Sequence, residues 1–230
     1  MSIFLKLELD VMQTNELEDA AAIATKYRFP AMVVHPLIAS EALFMRGRSQ
    51  GRYKIFTPVD WPKGENFGML KLRGLSSDAL DVDGFEILLT GNKSLSDTKN
   101  EAKALTTFIK QQLSELVEVR FVLGTIQRSL ENITYMCEAL KDVRMPGMVR
   151  NDHHLKLQVG KANAEVHNKF LETILGIIRT PVKLSGNISS VHAITACDKA
   201  QRFAVNVSQA RAIIKEVHQQ PEQLKSMLGP

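Results

Sequence analysis

The sequence contains little cysteine and no long apolar run. Cys137 and Cys197 are its only cysteines, and they lack metal-ligand spacing, so we expect two reduced thiols, no disulfide framework and no metal. No stretch approaches the roughly 20 apolar residues that a membrane-spanning helix requires. Charged residues interrupt the apolar run at the amino terminus, which argues against a signal peptide. These absences predict a cytoplasmic protein without membrane contact.

The common phosphate-binding and hydrolase motifs are also absent. The sequence has no G-x-G-x-x-G pattern, no Walker loop and no nucleophile elbow, so we expect no nucleotide and no cofactor. The net charge is +4 and the isoelectric point is near 9.0, which is mildly basic. The modest basic group at Arg46, Arg48, Arg52 and Lys54 is interpreted as a solvated loop. Nucleic acid is therefore not an expected partner.

What the sequence does contain is a repeated alternation of β-branched apolar runs and amphipathic segments. We predict strands at Phe4–Leu9, Ala31–His35, Tyr53–Val59, Gly84–Thr90, Glu118–Gly124, Met148–Arg150, Pro181–Leu184 and Phe203–Val207. We predict helices at Glu16–Tyr27, Thr98–Glu115, Ser129–Leu140, Leu155–Ile178 and Ser208–Val217. Ser96 or Asp97 is expected to cap the second of these helices.

Eight strands alternating with helices, without a Gly/Ser/Pro-rich linker, favour an α/β fold with a parallel sheet. Open doubly wound sheets usually have fewer strands, so we predict a single-domain (β/α)8 TIM barrel. The barrel is expected to span residues 1–218, and residues 219–230 are expected to form a polar tail.

In such barrels the functional residues lie at the carboxyl ends of the strands. Asp10 ends the first predicted strand, and we expect it to face the mouth of the barrel and to pair with Lys183 or Arg150. Asp152, His153 and His154 follow the sixth predicted strand. Because adjacent histidines point in different directions, we interpret these residues as polar surface and predict no metal site.

Several predicted strand ends resemble those of deoxyribose-phosphate aldolases, which are class I aldolases. The similar segments are AMVVHPLIASEA (31–42), YKIFTPVDWPKG (53–64), GFEILLTGN (84–92), VRFVLGT (119–125), PVKLSGNISS (181–190) and QRFAVNVSQARAII (201–214). They follow the family's order over almost the whole chain, and VKLSGNI is the most specific of them.

The resemblance implies a lysine on strand six that attacks a carbonyl, a lysine on strand seven that activates it, and an aspartate on strand four that moves protons. The strand-seven lysine is Lys183. With strand six at Met148–Arg150, the nucleophile's position holds Arg150, which stays protonated at neutral pH. The strand-four position holds Leu88, and Lys156 falls in the following loop or helix. The chain is therefore expected to lack two of the three chemical groups.

The resemblance also implies an anion site at the barrel mouth. The family binds phosphate through backbone N–H groups, and the corresponding positions here are Gly186, Asn187 and Ser208. Asn187 stands where the family has a second glycine, so the close approach that glycine permits is partly lost.

Two functions remain open. The first is a catalytically degenerate aldolase-like barrel that binds or regulates another protein, for example a virus-encoded inhibitor of a capsid-maturation protease in the host cytoplasm or virion. The second is a lyase that acts on a small phosphorylated or carboxylated sugar through Lys183, with Arg150 as the neighbouring cation. A small anionic ligand and a homodimer formed through the outer helices are further expectations from analogy.

Overall fold

A computed structural model of the chain describes residues 3–60, 81–89, 94–112, 118–124, 130–141, 155–158, 172, 182–185, 188–196 and 200–219. Within these residues the strands are β1 Leu7–Val11, β2 Ala31–Val34, β3 Lys54–Asp60, β4 Gly84–Leu89, β5 Glu118–Gly124, β6 Leu155–Gln158, β7 Val182–Ser185 and β8 Arg202–Val205. All neighbouring strands are parallel, and the hydrogen-bonded order runs from β1 to β8 and back to β1. The chain therefore has an α/β fold built on a curled parallel sheet.

Helices connect most of these strands, as parallel pairing requires. In the described ranges the α-helices are α1 Leu17–Tyr27, α2 Ala39–Ser49, α3 Leu95–Gln112, α4 Leu130–Lys141, α5 Val191–Ala196 and α6 Val207–Gln219. The segments that follow β3 and β6 fall largely outside the described residues. Among the helices that can be described, none is both long enough and apolar enough to cross a bilayer.

Most predicted strands agree with the structure, and β5 has the predicted bounds. The first prediction starts too early, because Ile3–Lys6 form a short 3-10 helix before β1. The predicted sixth strand, Met148–Arg150, lies outside the described residues. The structure instead has β6 at Leu155–Gln158, within the segment predicted as a long helix. The helix prediction is wrong for these four residues, because an alternating pattern this short does not distinguish a strand from the start of a helix, whereas Glu172 in the same segment is helical.

The apolar core lies between the sheet and the helices. Leu7, Leu9 and Val11 of β1 belong to its main cluster, together with Ala210 and Ile213 of α6. Side chains alternate between the two faces of a strand, so these odd-numbered positions of β1 face the helices.

The opposite, inner face of the sheet carries a second and smaller apolar cluster. Ala31, Val33 and Phe56 form this cluster, and each is at most 1% exposed. The even-numbered positions of β1 share this inner face.

The start of α3 is capped by a residue earlier than either predicted one. The Ser94 hydroxyl accepts a hydrogen bond from the Asp97 backbone N–H at 3.1 Å and donates one to the Asp97 carboxylate at 2.7 Å. This reciprocal pair satisfies a free N–H group of the first turn. The prediction of Ser96 or Asp97 as the cap is wrong because the helix begins at Leu95.

Candidate functional site

Buried charged side chains from four strands meet on the inner face of the sheet. They are Glu8 of β1, Glu86 of β4, Glu118 and Arg120 of β5, and Lys183 of β7, and we call them the inner ion cluster. Lys183 and Glu8 are each 1% exposed and Glu86 is fully buried. Ionised side chains are rarely buried to this extent unless they are paired, because they lose their hydration.

Lys183 is held between two carboxylates. Its Nζ donates hydrogen bonds to Glu8 Oε2 at 2.7 Å and to Glu86 Oε1 at 2.5 Å. An ammonium group in this arrangement has no lone pair with which to attack a carbonyl carbon. Lys183 is therefore placed to hold a positive charge or to transfer a proton, and less suited to be the nucleophile.

Arg120 lies between the carboxylates of the cluster and an aromatic ring. Its Nη1 donates to Glu8 Oε2 at 2.8 Å, and its Nε donates to Glu118 Oε1 at 2.9 Å. The guanidinium carbon lies 3.4 Å from the centroid of the Phe56 ring, which adds a cation–π contact. Burial lowers the pKa of Arg120, but Glu8, Glu118 and Glu86 outweigh it and raise that pKa above its usual value.

Glu118 connects the cluster to solvent at the amino-terminal end of β3. Its Oε2 accepts a hydrogen bond at 2.7 Å from Lys54 Nζ, whose side chain is 53% exposed. Burial acts to raise the pKa of Glu118, but Arg120 and Lys54 reverse this effect, and the pKa lies below its usual value. Arg202 of β8 lies 3.6 Å from the second carboxylate oxygen of Glu8. Two partly exposed cations, Lys54 and Arg202, therefore lie at the edge of the cluster.

Strand β6 places a second lysine beside Lys183. Lys156 of β6 is the register partner of Lys183 of β7, and on its other side it pairs with Val122 of β5. The expectation that Lys156 falls in a loop or helix is therefore wrong. Arg150, which was expected at the nucleophile's position, lies outside the described residues. The strand six that the structure describes carries a lysine, so the argument that this strand lacks one no longer holds.

The acidic partners of Lys183 differ from the one expected. Asp10 lies on β1 as predicted, but the β1 carboxylate that pairs with Lys183 is Glu8, two residues earlier. Leu88 lies on β4, two residues after Glu86. The sequence analysis did not single out Glu8 or Glu86. In both strands a glutamate is flanked by apolar residues, in LELDV of β1 and in GFEILL of β4. This pattern could have indicated a buried carboxylate at each position.

The predicted anion site is only partly within the described residues. Gly186 and Asn187 lie outside them, whereas Ser208 is exposed as the second residue of α6. The start of α6 is capped by Asn206, whose Oδ1 accepts from the Gln209 N–H at 2.8 Å while Gln209 Oε1 accepts from the Asn206 N–H at 2.9 Å. One of the free N–H groups of this helix is therefore already used, and anion binding here stays a prediction.

The described part of the chain shows no metal centre, and its surface cavity lies away from the inner ion cluster. In that part no group of three His, Cys, Asp or Glu side chains is arranged to hold a metal ion, and His153 and His154 lie outside it. A surface cavity of about 320 Å³ lies between α1 and α6, where Ile23, Tyr27 and Ile214 contribute to its wall. It includes no member of the inner ion cluster.

Comparison with known proteins supports an aldolase-like fold. Neither a family model nor a curated protein matches the sequence. Among solved structures, the chain is similar to "QR15, an Aldolase", with a TM-score of 0.70 and 16% identity over 98% of this chain and 100% of that one.

Two further structures carry the name of one aldolase. A protein assigned as a deoxyribose-phosphate aldolase from Coccidioides immitis gives a TM-score of 0.70 and 15% identity, over 94% of this chain and 85% of that one. The tetrameric deoxyribose phosphate aldolase from Aeropyrum pernix gives 0.68 and 12%, over 94% and 90%. At these identities the similarity establishes the fold alone.

Proposed function

We propose that the chain is a class I lyase that forms a Schiff base at the lysine pair Lys156–Lys183 and acts on a small phosphorylated or carboxylated sugar. The observation that carries this proposal is the register pairing of the two lysines on neighbouring strands of an aldolase-like sheet. We further propose that the strand–helix repeat is complete, as a (β/α)8 barrel. The active site is then expected on the inner face of the sheet, where Lys183 lies.

The contacts of Lys183 suggest which lysine is the nucleophile and which is the charged partner. Glu8 and Glu86 hold Lys183 as an ammonium group. Register partners on adjacent parallel strands share a face of the sheet, and a fixed cation favours the neutral form of a neighbouring amine. The proposal therefore assigns the nucleophile to Lys156 and the charged partner to Lys183. The single-lysine route through Lys183, which is one of the two alternatives that the sequence leaves open, would require that residue to leave both carboxylates.

The reaction follows from these roles. The Lys156 amine adds to the substrate carbonyl carbon, and loss of water leaves an iminium ion. The β-hydroxyl group then gives up its proton to a base as the bond between the α- and β-carbons breaks, so that the electron pair of this bond passes into the iminium and the β-carbon leaves as an aldehyde. The remaining enamine is protonated at carbon, and water then hydrolyses the new iminium to regenerate the amine. Leu88 cannot transfer protons, so the proposal gives this task to Lys183 with its hydrogen-bonded partner Glu86.

Borohydride trapping tests the proposal directly. The protein is incubated with acetaldehyde, glycolaldehyde, glyceraldehyde 3-phosphate or pyruvate, reduced, and examined by intact mass and peptide mapping. We expect an adduct on Lys156 that Lys156→Arg abolishes and Lys183→Met weakens. The exposed Lys103 of α3 provides the matched control, and Lys103→Ala should leave trapping unchanged. An adduct on Lys183 that survives Lys156→Arg would support the single-lysine route, and no adduct with any carbonyl compound would contradict a lyase.

A binding or regulatory protein is the second candidate. It is favoured by the double pairing of Lys183 and by Leu88 at the position where the family's aspartate is expected. This candidate requires that trapping fails in the folded protein while a pull-down from the native source recovers a protein partner. Its more specific form, an inhibitor of a viral capsid-maturation protease, stays a prediction from the sequence.

A further inference from the structure

We infer that Arg120 is a positioning residue for Lys183, acting through the carboxylates of Glu8 and Glu86. This inference rests on the proposed lyase function and extends it to a residue that need not contact the substrate. It follows from the geometry of the inner ion cluster, in which Arg120 and Lys183 share the same acceptor atom, Glu8 Oε2.

The position of Arg120 is fixed from three sides. Glu118 accepts from Nε, Glu8 accepts from Nη1, and the Phe56 ring lies against the guanidinium plane. Only a guanidinium offers separate donors in a rigid, planar fork, so a lysine at this position would make fewer of these contacts. Because Glu8 is held by Arg120, its second acceptor interaction directs the Lys183 ammonium to a defined place.

The charge of Arg120 matters as much as its shape. Glu8 and Glu86 both lie within hydrogen-bond distance of one Nζ atom, and Nη1 of Arg120 lies 3.7 Å from Glu86 Oε1. Two carboxylates around a single cation repel each other, and one of them tends to take up a proton. A second buried cation allows both to remain ionised. Arg120 therefore maintains the two ionised acceptors that hold Lys183.

Several charged groups besides Lys156, the register partner of Lys183, lie on the strands around Glu8 and Glu86. They are Asp10 on β1, Lys54 on β3, Glu118 and Arg120 on β5, Lys183 on β7 and Arg202 on β8. Of these cations, Arg120 and Lys183 are buried. The partly exposed Lys54 and Arg202 are screened by solvent and replace little of the lost charge. Loss of Arg120 should therefore favour protonation of one of the two carboxylates, Glu8 or Glu86, that hold Lys183.

The expected consequence is a specific defect in proton transfer. Once a Schiff base has formed, Lys183 passes a proton to Glu86 and accepts the proton from the α-carbon of the bound aldehyde, which becomes an enamine. In the reverse direction Lys183 donates a proton to that carbon and takes one back from Glu86. The α-carbon gains deuterium because the protons on Lys183 and Glu86 exchange with solvent in between. A carboxylate that has already taken up a proton cannot take part in the first step. Without Arg120, proton transfer should thus require a higher pH, whereas attack by Lys156 should not.

The experiment measures these two steps separately. Exchange of the α-hydrogens of acetaldehyde in D2O is followed by NMR against pD, and cyanoborohydride trapping of acetaldehyde is measured in parallel. For Arg120→Gln we expect at least a tenfold loss of exchange near neutrality, recovery at higher pD, and trapping within about threefold of the native protein; one pH unit corresponds to a factor of ten. Arg120→Lys retains the charge and should restore most of the exchange and the native pH dependence.

Each outcome has a definite meaning. A profile for Arg120→Gln that is lower at every pD but has the native shape would overturn the inference, since it would reflect only a structural loss. A native protein that does not trap acetaldehyde would instead refute the proposed function. Should Arg120→Gln not fold, the double variant Arg120→Gln with Glu118→Gln takes its place, because it removes one charge of each sign from the cluster. A shift in the same direction is expected in the double variant, because Glu8 and Glu86 have lost the cation at position 120 there too, and its absence would overturn the inference.

Discussion

Replacing Lys183 by methionine should destabilise the protein strongly, although the two side chains have similar volumes. Methionine leaves no large cavity at a position that is 1% exposed. It does remove the ammonium group that both Glu8 and Glu86 contact. Breaking a buried ion pair by deleting one partner typically costs about 3–5 kcal/mol, because the remaining charge is buried without compensation.

The structure indicates which carboxylate causes most of this loss. In the variant Arg120 still lies 2.8 Å from Glu8 but 3.7 Å from Glu86, so Glu86 loses its shorter contact with a cation. The loss should therefore be reduced when Glu86 is neutralised as well. We expect Lys183→Met with Glu86→Gln to be at least about 1 kcal/mol more stable than Lys183→Met alone, because the buried carboxylate that loses its 2.5 Å contact with Lys183 is then uncharged.

Urea unfolding at neutral pH, followed by circular dichroism, measures these differences as changes in the free energy of unfolding. The slopes must agree among variants for the comparison to hold. A matched control is Lys103→Met on the exposed face of α3, which should change the free energy by less than about 0.5 kcal/mol. A loss below about 1 kcal/mol for Lys183→Met, or a double variant that is less stable than the single one, would refute the reasoning.

Two further predictions concern the neighbourhood of the cluster. The pKa of Glu118 is subject to burial, which raises it, and to Arg120 and Lys54, which together bring it below the ordinary value of 4.5. Glu118 thus contributes stability that is present above pH 4.5 and is lost as the pH falls through the lowered pKa. Glu118→Gln should lower the free energy of unfolding by about 1–3 kcal/mol at neutral pH. In thermal unfolding, the difference in unfolding temperature between the variant and the native protein should become smaller as the pH falls. Gly84→Ala should destabilise the protein by about 1–3 kcal/mol, because the new Cβ would overlap the backbone oxygen of Glu118. Gly47→Ala lies in the open surroundings of α2 and should stabilise the protein by up to about 1 kcal/mol. Equal effects of the two substitutions in urea unfolding would contradict this argument.

The alternation of strands and helices could be predicted from the sequence, because apolar periodicity is a local property. β5 is the clearest case, since Val119, Phe121, Val122 and Leu123 give a seven-residue segment enough β-branched and apolar character to define a strand. β6 is the opposite case. Its Leu155 and Leu157 alternate with polar residues, but a four-residue pattern is too short to exclude the first turn of the helix that the sequence predicts there.

The inner ion cluster could not be predicted in the same way. The apolar neighbours Leu7 and Leu9 identify the face on which Glu8 lies, but they do not identify its partner. Glu8 and Lys183 are 175 positions apart in the chain, and the pairing of β8 with both β1 and β7 brings them together. The family resemblance directed attention to Lys183 but, through the misplaced sixth strand, to Arg150 instead of Lys156.

The distribution of charges over separate strands also bears on how the chain avoids incorrect pairing while it folds. A shift of β1 by one residue would turn Glu8 away from Arg120 and Lys183 and towards the apolar side chains beneath the helices. The same slip in β4 would do this to Glu86. Burial of an unpartnered carboxylate in an apolar layer is costly, so misaligned forms of the sheet are disfavoured whether or not the protein is an enzyme.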